Sequence, residues 1–349
     1  MKYSDEINTE ILATMGPTLG EKKQILKAVE LGVDNLRIHM GVRARDRFQY
    51  FVNAREVEKE LCKHIDILID LPTAKPRVGK MKNFKPSDGD IFKIIDAEIA
   101  CQDFIIPLRG LSKLLCELKV GERIVFSDGK LVFKIVDLKD DELFVRCINA
   151  NCELISEISS CVFPDSTIEF ELFEWDDLEL LQKMKNRSLC PDWIAISFAS
   201  GIKQINRVKE VIRGLWDQDI KFMAKIESKI GLENFSEILD SVDGIMVARG
   251  DLLAFVEPYV LPSIQQKLVR ETRKKGKTVV VATEMLEKFA ESGIIYRPEL
   301  SDIALAVRQG ANAVMLSVES SNCIRSEECI LLMNKIVSYE RAQYKNGWG

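Results

Sequence analysis

The chain has 349 residues, 46% of them hydrophobic and 30% charged, with a formal net charge of −5. These values fit one large globular domain or two to three smaller ones, and they leave no electrostatic case for nucleic acid or an anionic membrane surface. The N-terminus lacks a signal-peptide core, no apolar run reaches the roughly 18 residues of a membrane span, and nine cysteines without C-x-x-C spacing beside two histidines speak against zinc. A cytoplasmic protein with reduced thiols is expected.

The predicted elements alternate from the start. "EILATMG" (10–16) reads as a strand, and "EKKQILKAVELG" as an amphipathic helix whose final glycine suits a C-cap. Strands follow at "DNLRIHM" (34–40) and "IDILIDL" (65–71). From residue 80 to about 172 the alternation stops and the chain turns β-rich. There "VGERIVFSDGKLVFKIVDLKDDELFVRCI" reads as a meander with turns at Asp128-Gly129 and Asp140-Asp141. Strands resume at "DWIAISFA" (192–199), "IKFMAKIE" (220–227), "GIMVARG" (244–250), "TVVVATE" (278–284) and "AVMLSVE" (313–319). Helical stretches "RVKEVIRGLW", "LENFSEILDSV", "IQQKLVRETRKKG" and "SDIALAVRQG" lie between them, and "EECILLMNKIVSYERAQ" closes the chain. Eight strands, each followed by a helix, predict an α/β fold of the (β/α)8 TIM-barrel class. The expected domains are a barrel formed by residues 1–79 and 173–349 and an inserted β-rich lid of residues 80–172.

Chemistry in such a barrel sits at the carboxyl ends of the strands. Alternation of side chains places Lys225 and Glu227 on one face at the end of the fifth strand. Asp251 follows the sixth strand, Thr283 closes the seventh, and Ser317 and Glu319 close the eighth. Arg37 and His39 share a face near the end of the second, and Asp70 ends the third. Glu227 and Asp251, on adjacent strand ends, are candidate ligands for Mg2+ or Mn2+, which take few carboxylates plus substrate oxygens and water. Arg37 and Lys225 add positive charge. The backbone at Arg249-Gly250-Asp251 opens a helix, where free N–H groups favour an anion. The combination suits a substrate bearing both a phosphate and a carboxylate.

These stretches resemble the pyruvate kinase family. "DGIMVARGDLLAFV" is similar to its metal-binding stretch and "AKIESKIGLENFSEIL" to the one around its catalytic lysine, while "VVVATEMLE", "NAVMLSVES" and "ATMGPT" match further signatures and "VGERIVFSDGKL" resembles part of its lid. The resemblance spans essentially the whole chain, and the family's C-terminal domain, which carries regulation and much of a tetramer interface, has no counterpart in it. It implies Lys225 beside the transferring phosphoryl group, Glu227 and Asp251 on the divalent metal, and Arg37 on the phosphate. It also implies the Arg249-Gly250-Asp251 backbone and Thr283 on the substrate carboxylate, and Ser317 and Glu319 on the proton-delivery side.

The departures from the family gather on its nucleotide side. Gly41 and Val42 stand where the family has serine and histidine, and Ser159 where the lid has a lysine. Among the family's potassium ligands His39 replaces asparagine and Gly41 serine, although Asp70 remains. "DLPTAKPRVG" keeps Arg77 and puts Lys75 at the position of a glutamate, the pattern of family members that work without potassium. The expected cofactor is therefore Mg2+ or Mn2+, with K+ not required and Lys75 its substitute near Asp70. The expected partner is phosphoenolpyruvate or a pyruvate-like molecule, with a nucleoside diphosphate as candidate second substrate and a homo-oligomer as candidate assembly. The function implied is a pyruvate kinase-like phosphotransferase with an eroded nucleotide side. Its alternatives are a metal-dependent enolpyruvate enzyme without nucleotide (C–C lyase, decarboxylase or biosynthetic enzyme) and a non-catalytic metabolite-binding protein.

Overall fold

The computed structural model describes residues 8–40, 47–127, 129–139, 142–151, 154–157, 159–170 and 175–345. Three strands open the chain, β1 (Glu10–Thr14), β2 (Asn35–His39) and β3 (Ile67–Leu71). Seven more form a separate sheet: β4 (Arg77–Val78), β5 (Ile91–Ile95), β6 (Ile105–Arg109), β7 (Arg123–Phe126), β8 (Leu131–Lys139), β9 (Glu142–Asn149) and β10 (Cys161–Val162). The last five are β11 (Trp193–Ile196), β12 (Lys221–Ile226), β13 (Gly244–Ala248), β14 (Thr278–Ala282) and β15 (Ala313–Leu316).

β1, β2, β3 and β11 to β15 pair in parallel and close a barrel in the order β1-β15-β14-β13-β12-β11-β3-β2. Every residue of β3 and β13 is buried. Strands buried on both faces read as unbroken apolar runs because helices cover one side and the barrel's own filling the other. Leu12, Leu68, Trp193, Met223, Met246 and Met315 fill the interior. Gly16 follows β1 where a Cβ would come within 2.4 Å of the Ser321 carbonyl oxygen, so the seam between the first and last strands admits only glycine.

The second sheet runs β10-β7-β8-β9-β5-β6-β4 around its own core of Phe92, Phe126, Phe133 and Leu143. β7, β8 and β9 pair antiparallel in succession, as the meander predicts. Its turn residues Asp128, Asp140 and Asp141 lie outside the described residues, as do Gly41 and Val42. The sheet already begins at Arg77, where β4 pairs with β6.

The barrel strands are shorter than their sequence suggests, and three of them stop for a clear local reason. β13 stops at Ala248 because Arg249–Leu253 turns into a helix. β14 stops at Ala282 because Thr283 and Glu284 take left-handed φ values of 76° and 55°. β15 stops at Leu316, and Val318–Ser321 is a helical turn. "LENFSEILDSV" lies in two short helices, Lys229–Glu233 and Phe235–Ser241. Helices Arg47–Leu61 and Trp175–Asn186 complete the outer layer. Among the described residues no helix is long and apolar enough to cross a membrane, and eight cysteines are free.

Candidate active site

A cleft of about 360 Å³ opens at the carboxyl ends of the barrel strands, lined among others by Arg37, Lys75, Lys225, Glu227, Asp251 and Ser317. Lys225 stands near the end of β12, only 7% exposed. Its Nζ donates to Ser197 Oγ at 2.9 Å and lies 3.0 Å from Glu227 Oε1 and 3.2 Å from Asp70 Oδ1. Burial works against this charge, but the carboxylates of Asp70 and Glu227 outweigh it and hold the ammonium above the ordinary lysine range.

Asp70, fully buried near the end of β3, accepts from Arg37 Nε at 2.9 Å and from Ser197 Oγ at 3.2 Å. Burial opposes its ionisation, yet Lys225 and Arg37 hold the carboxyl well below the usual carboxylate range. Arg37 is fixed further by donating to Thr14 Oγ1 at 2.8 Å. Its guanidinium is therefore aimed by two strands before any ligand arrives.

Glu227 accepts the Phe198 N–H at 2.7 Å through Oε2. Burial pushes its carboxyl up; Lys225 pulls the other way, and the charge of Asp251 adds to the rise. Asp251 sits in the first turn of the helix Arg249–Leu253, with Oδ1 2.8 Å from Lys75 Nζ. Lys75 also lies 4.6 Å above the Phe198 ring, a cation–π contact. Its carboxylate partner is thus Asp251, while Asp70 is held by Arg37, Ser197 and Lys225. The two carboxylates are donors of the type a hard divalent cation takes, and in their present state each is engaged by a lysine, Glu227 by Lys225 and Asp251 by Lys75. Each side chain offers oxygen donors, and a cation between them would remove the repulsion that helps raise Glu227.

Behind the cleft, Thr283 is a β-branched residue at φ 76°, a strained backbone of the kind that clusters at functional sites. Its Oγ1 accepts the Gly250 N–H at 2.8 Å and donates to Ala282 O at 2.6 Å. The Arg249 guanidinium donates to Thr283 O and to Asp302 Oδ1, each at 2.5 Å, and to Ala282 O at 3.3 Å. These contacts tie the turn after β13 to the end of β14. Glu319 is fully buried; it accepts the Ser317 N–H at 2.7 Å and the Leu286 N–H at 3.4 Å, pinning the segment that brings Ser317 to the cleft.

His39 is exposed at the rim of the cleft, where desolvation first and the Arg37 charge next push its imidazole below the ordinary histidine value. In the lid, Ser159 Oγ lies 3.3 Å from Ser156 Oγ, so a hydroxyl with a local partner stands where the family has a lysine. Sequence reasoning missed Thr14, Ser197 and Phe198. The available signal was polarity: Ser197 follows the apolar strand Trp193–Ile196 at its carboxyl end.

Comparison with known proteins agrees with the fold. The family described as "Pyruvate kinase, barrel domain" matches residues 6–330. The pyruvate kinase of Thermococcus litoralis is 30% identical over 333 residues, covering 94% of this chain and 68% of that protein. That of Methylorubrum extorquens is 32% identical over 331 residues, covering 94% and 67%. A solved structure of Cryptosporidium parvum pyruvate kinase matches with a TM-score of 0.85 at 24% identity, covering 98% of this chain and 72% of that one, a likeness of fold.

Proposed function

Because the chain belongs to the pyruvate kinase family of phosphotransferases, we propose that its cleft takes phosphoenolpyruvate, or the enolate of pyruvate, together with Mg2+ or Mn2+. The observation that carries this reading is the buried Lys225 ammonium held between Asp70, Ser197 and Glu227, with Arg37 aimed at the same space.

Arg37, oriented by Asp70 and Thr14, receives the phosphate. Lys225 stabilises charge on the transferring phosphoryl group and on the enol oxygen that takes the P–O bonding electrons. Glu227 and Asp251 would hold the divalent ion, which when bound supplies Lewis-acid stabilisation of that charge. The backbone at Arg249-Gly250-Asp251 orients the carboxylate, and the Thr283 hydroxyl, committed to the Gly250 N–H and to Ala282 O, fixes that turn from behind. Ser317, with Glu319 positioning it, lies on the side from which the methylene carbon takes its proton. Lys75 supplies the charge of a monovalent cation, so K+ is not required. Residues 80–172 serve as a lid, and the enzyme works in the cytoplasm.

A second reading keeps the enolate and drops the nucleotide: a C–C lyase, decarboxylase or other enolpyruvate enzyme. The Ser159 hydroxyl favours it, because it stands where the family has a lysine on the nucleotide side. The test is to incubate the protein with phosphoenolpyruvate, Mg2+ or Mn2+ and each nucleoside diphosphate, and to detect pyruvate directly. Pyruvate formation that falls about 100-fold or more in Lys225→Met is the expected result. Metal-dependent binding of phosphoenolpyruvate without pyruvate formation selects the second reading. No binding at all rejects both.

A further inference from the structure

At the end of the barrel opposite the cleft, the chain enters β3 and β11 side by side. Asp66 precedes β3 and Asp192 precedes β11, and the Asp192 N–H donates to Ile67 O at 3.1 Å. His64 stands between the helix Arg47–Leu61 and Asp66. Its Nε2 is 2.9 Å from Asp66 Oδ1 and 3.4 Å from Asp192 Oδ1. These three side chains bring one ligand atom each within 4.8 Å of the others, and no other trio of His, Cys, Asp or Glu does so among the described residues.

Each of the three is held from its far side. Asp192 turns Oδ2 to Arg55 Nη2 and to the Ile67 N–H, both at 2.7 Å. Asp66 turns Oδ2 to Trp193 Nε1 at 3.0 Å. His64 turns Nδ1 to Glu58 Oε1, while Glu58 Oε2 accepts from Arg55 Nη1 at 2.8 Å. One imidazole nitrogen and two carboxylate oxygens are left facing inward. A carboxylate behind the distal ring nitrogen is what fixes the tautomer and orientation of a metal-binding histidine. In the tautomer that donates Nδ1–H to Glu58, Nε2 turns a lone pair toward two oxygens that are acceptors themselves. That arrangement is repulsive unless a cation stands among the three. Charge points the same way. Among the described residues, Glu58, Asp66 and Asp192 form ion pairs with Arg55 and the ring. A proton on the ring leaves this group one negative charge in excess; a divalent ion beside a neutral ring leaves none.

We propose that His64 Nε2, Asp66 Oδ1 and Asp192 Oδ1 bind a divalent transition-metal ion of the zinc type, with water in the fourth place and Glu58 positioning the histidine. Donors about 2.0 Å from a tetrahedral ion stand about 3.3 Å apart, and the measured 2.9 and 3.4 Å lie on either side of that. The imidazole nitrogen selects Zn2+ over Mg2+. Scarce histidine and the lack of C-x-x-C spacing speak against zinc in the sequence, but here carboxylates supply two of the three protein donors. The ion would join the loop before β3 to the loop before β11. The inference does not depend on the enolpyruvate reading, because the site lies at the other end of the barrel and is read from binding alone.

The experiment is a Zn2+ titration of the full chain, in chelator-treated buffer, followed through the imidazole nitrogens by NMR. The chain has two histidines, so His64→Asn assigns both sets of signals. Zn2+ should move the His64 signals and leave those of His39 in place, and Mg2+ at the same concentration should move neither. Asp66→Asn should raise the zinc midpoint about tenfold or more. Glu58→Gln, which touches no metal, should raise it about tenfold to a hundredfold by loosening the ring. Glu227→Gln, in the other cleft, should leave the His64 midpoint within about twofold. If Asp66→Asn does not fold, Glu58→Gln decides. His64 signals unmoved by millimolar Zn2+ would make the ring an ion-pair partner only and overturn the proposal. A midpoint unchanged in both Asp66→Asn and Glu58→Gln overturns it as well.

Discussion

Lys75 holds its ammonium 2.8 Å from Asp251 and 4.6 Å above the Phe198 ring. A potassium ion brought to within about 4 Å of it would meet a repulsion of roughly 4 kcal/mol at an effective dielectric of about 20. Turnover should therefore be indifferent to K+ over a tetramethylammonium control, and Lys75→Glu should lower it and restore a response to K+. Several-fold activation of the wild type by K+ would contradict this. His39 makes a prediction about pH. Its folded-state value of about 3 lies below the ordinary histidine value. The neutral ring's contribution is thus complete above about pH 6.5 and is lost as the pH falls toward about 3. His39→Asn should lose less stability than the wild type between about pH 7 and pH 5, by only a fraction of the full shift because the ring is exposed. Urea midpoints at the two pH values check it, and parallel shifts in both proteins would sink the idea.

At the scale of single elements, the end of β14 stores strain. Thr283 takes φ 76° while its hydroxyl bridges Gly250 and Ala282. Thr283→Ala and Thr283→Gly both remove the hydroxyl, and only glycine relaxes the backbone. The glycine variant should be the more stable by about 1 kcal/mol, the reverse of the usual order, with both slowed in turnover. Equal or lower stability for glycine in chemical denaturation would remove strain from the account. The eight barrel strands were legible in the sequence because apolar runs buried on both faces announce themselves, and the meander because its period of two does. Lys225 and Glu227 were legible for a related reason: two charges closing an apolar strand. Nothing local marks Thr14 or Phe198, whose parts depend on long-range pairing, with Thr14 meeting Arg37 and Phe198 meeting Glu227. Nor does the pattern reveal that Arg249 turns its guanidinium to Asp302 and Thr283, since burial of a strand-end arginine depends on its neighbours.

Across the whole molecule, the chain crosses between barrel and lid twice, and both crossings meet one ring. Lys75, on the way out, lies over Phe198; Phe170, on the way back, packs against it edge-on with centroids 5.4 Å apart. The same residue's N–H holds Glu227, and its φ is 49°. Phe198→Ala should therefore speed proteolysis within residues 163–170 and weaken Mn2+ binding together, with Phe198→Leu intermediate in both. A variant with faster cleavage and unchanged Mn2+ affinity would separate the two roles. The dependence on this ring also bears on how such a chain can change over time. The outer part of the insert packs around its own core of Phe92, Phe126 and Phe133 and asks nothing of the barrel there. Its attachment combines the cation and the aromatic edge of the two tethers with Val125 and Val162 packed against Phe198 and Ala254, and with Lys130 2.8 Å from Glu287. A foreign β-module spliced between Lys75 and Phe170 would keep the two tethers on the Phe198 socket, and to seat as firmly it would have to bring its own counterparts of Val125, Val162 and Lys130.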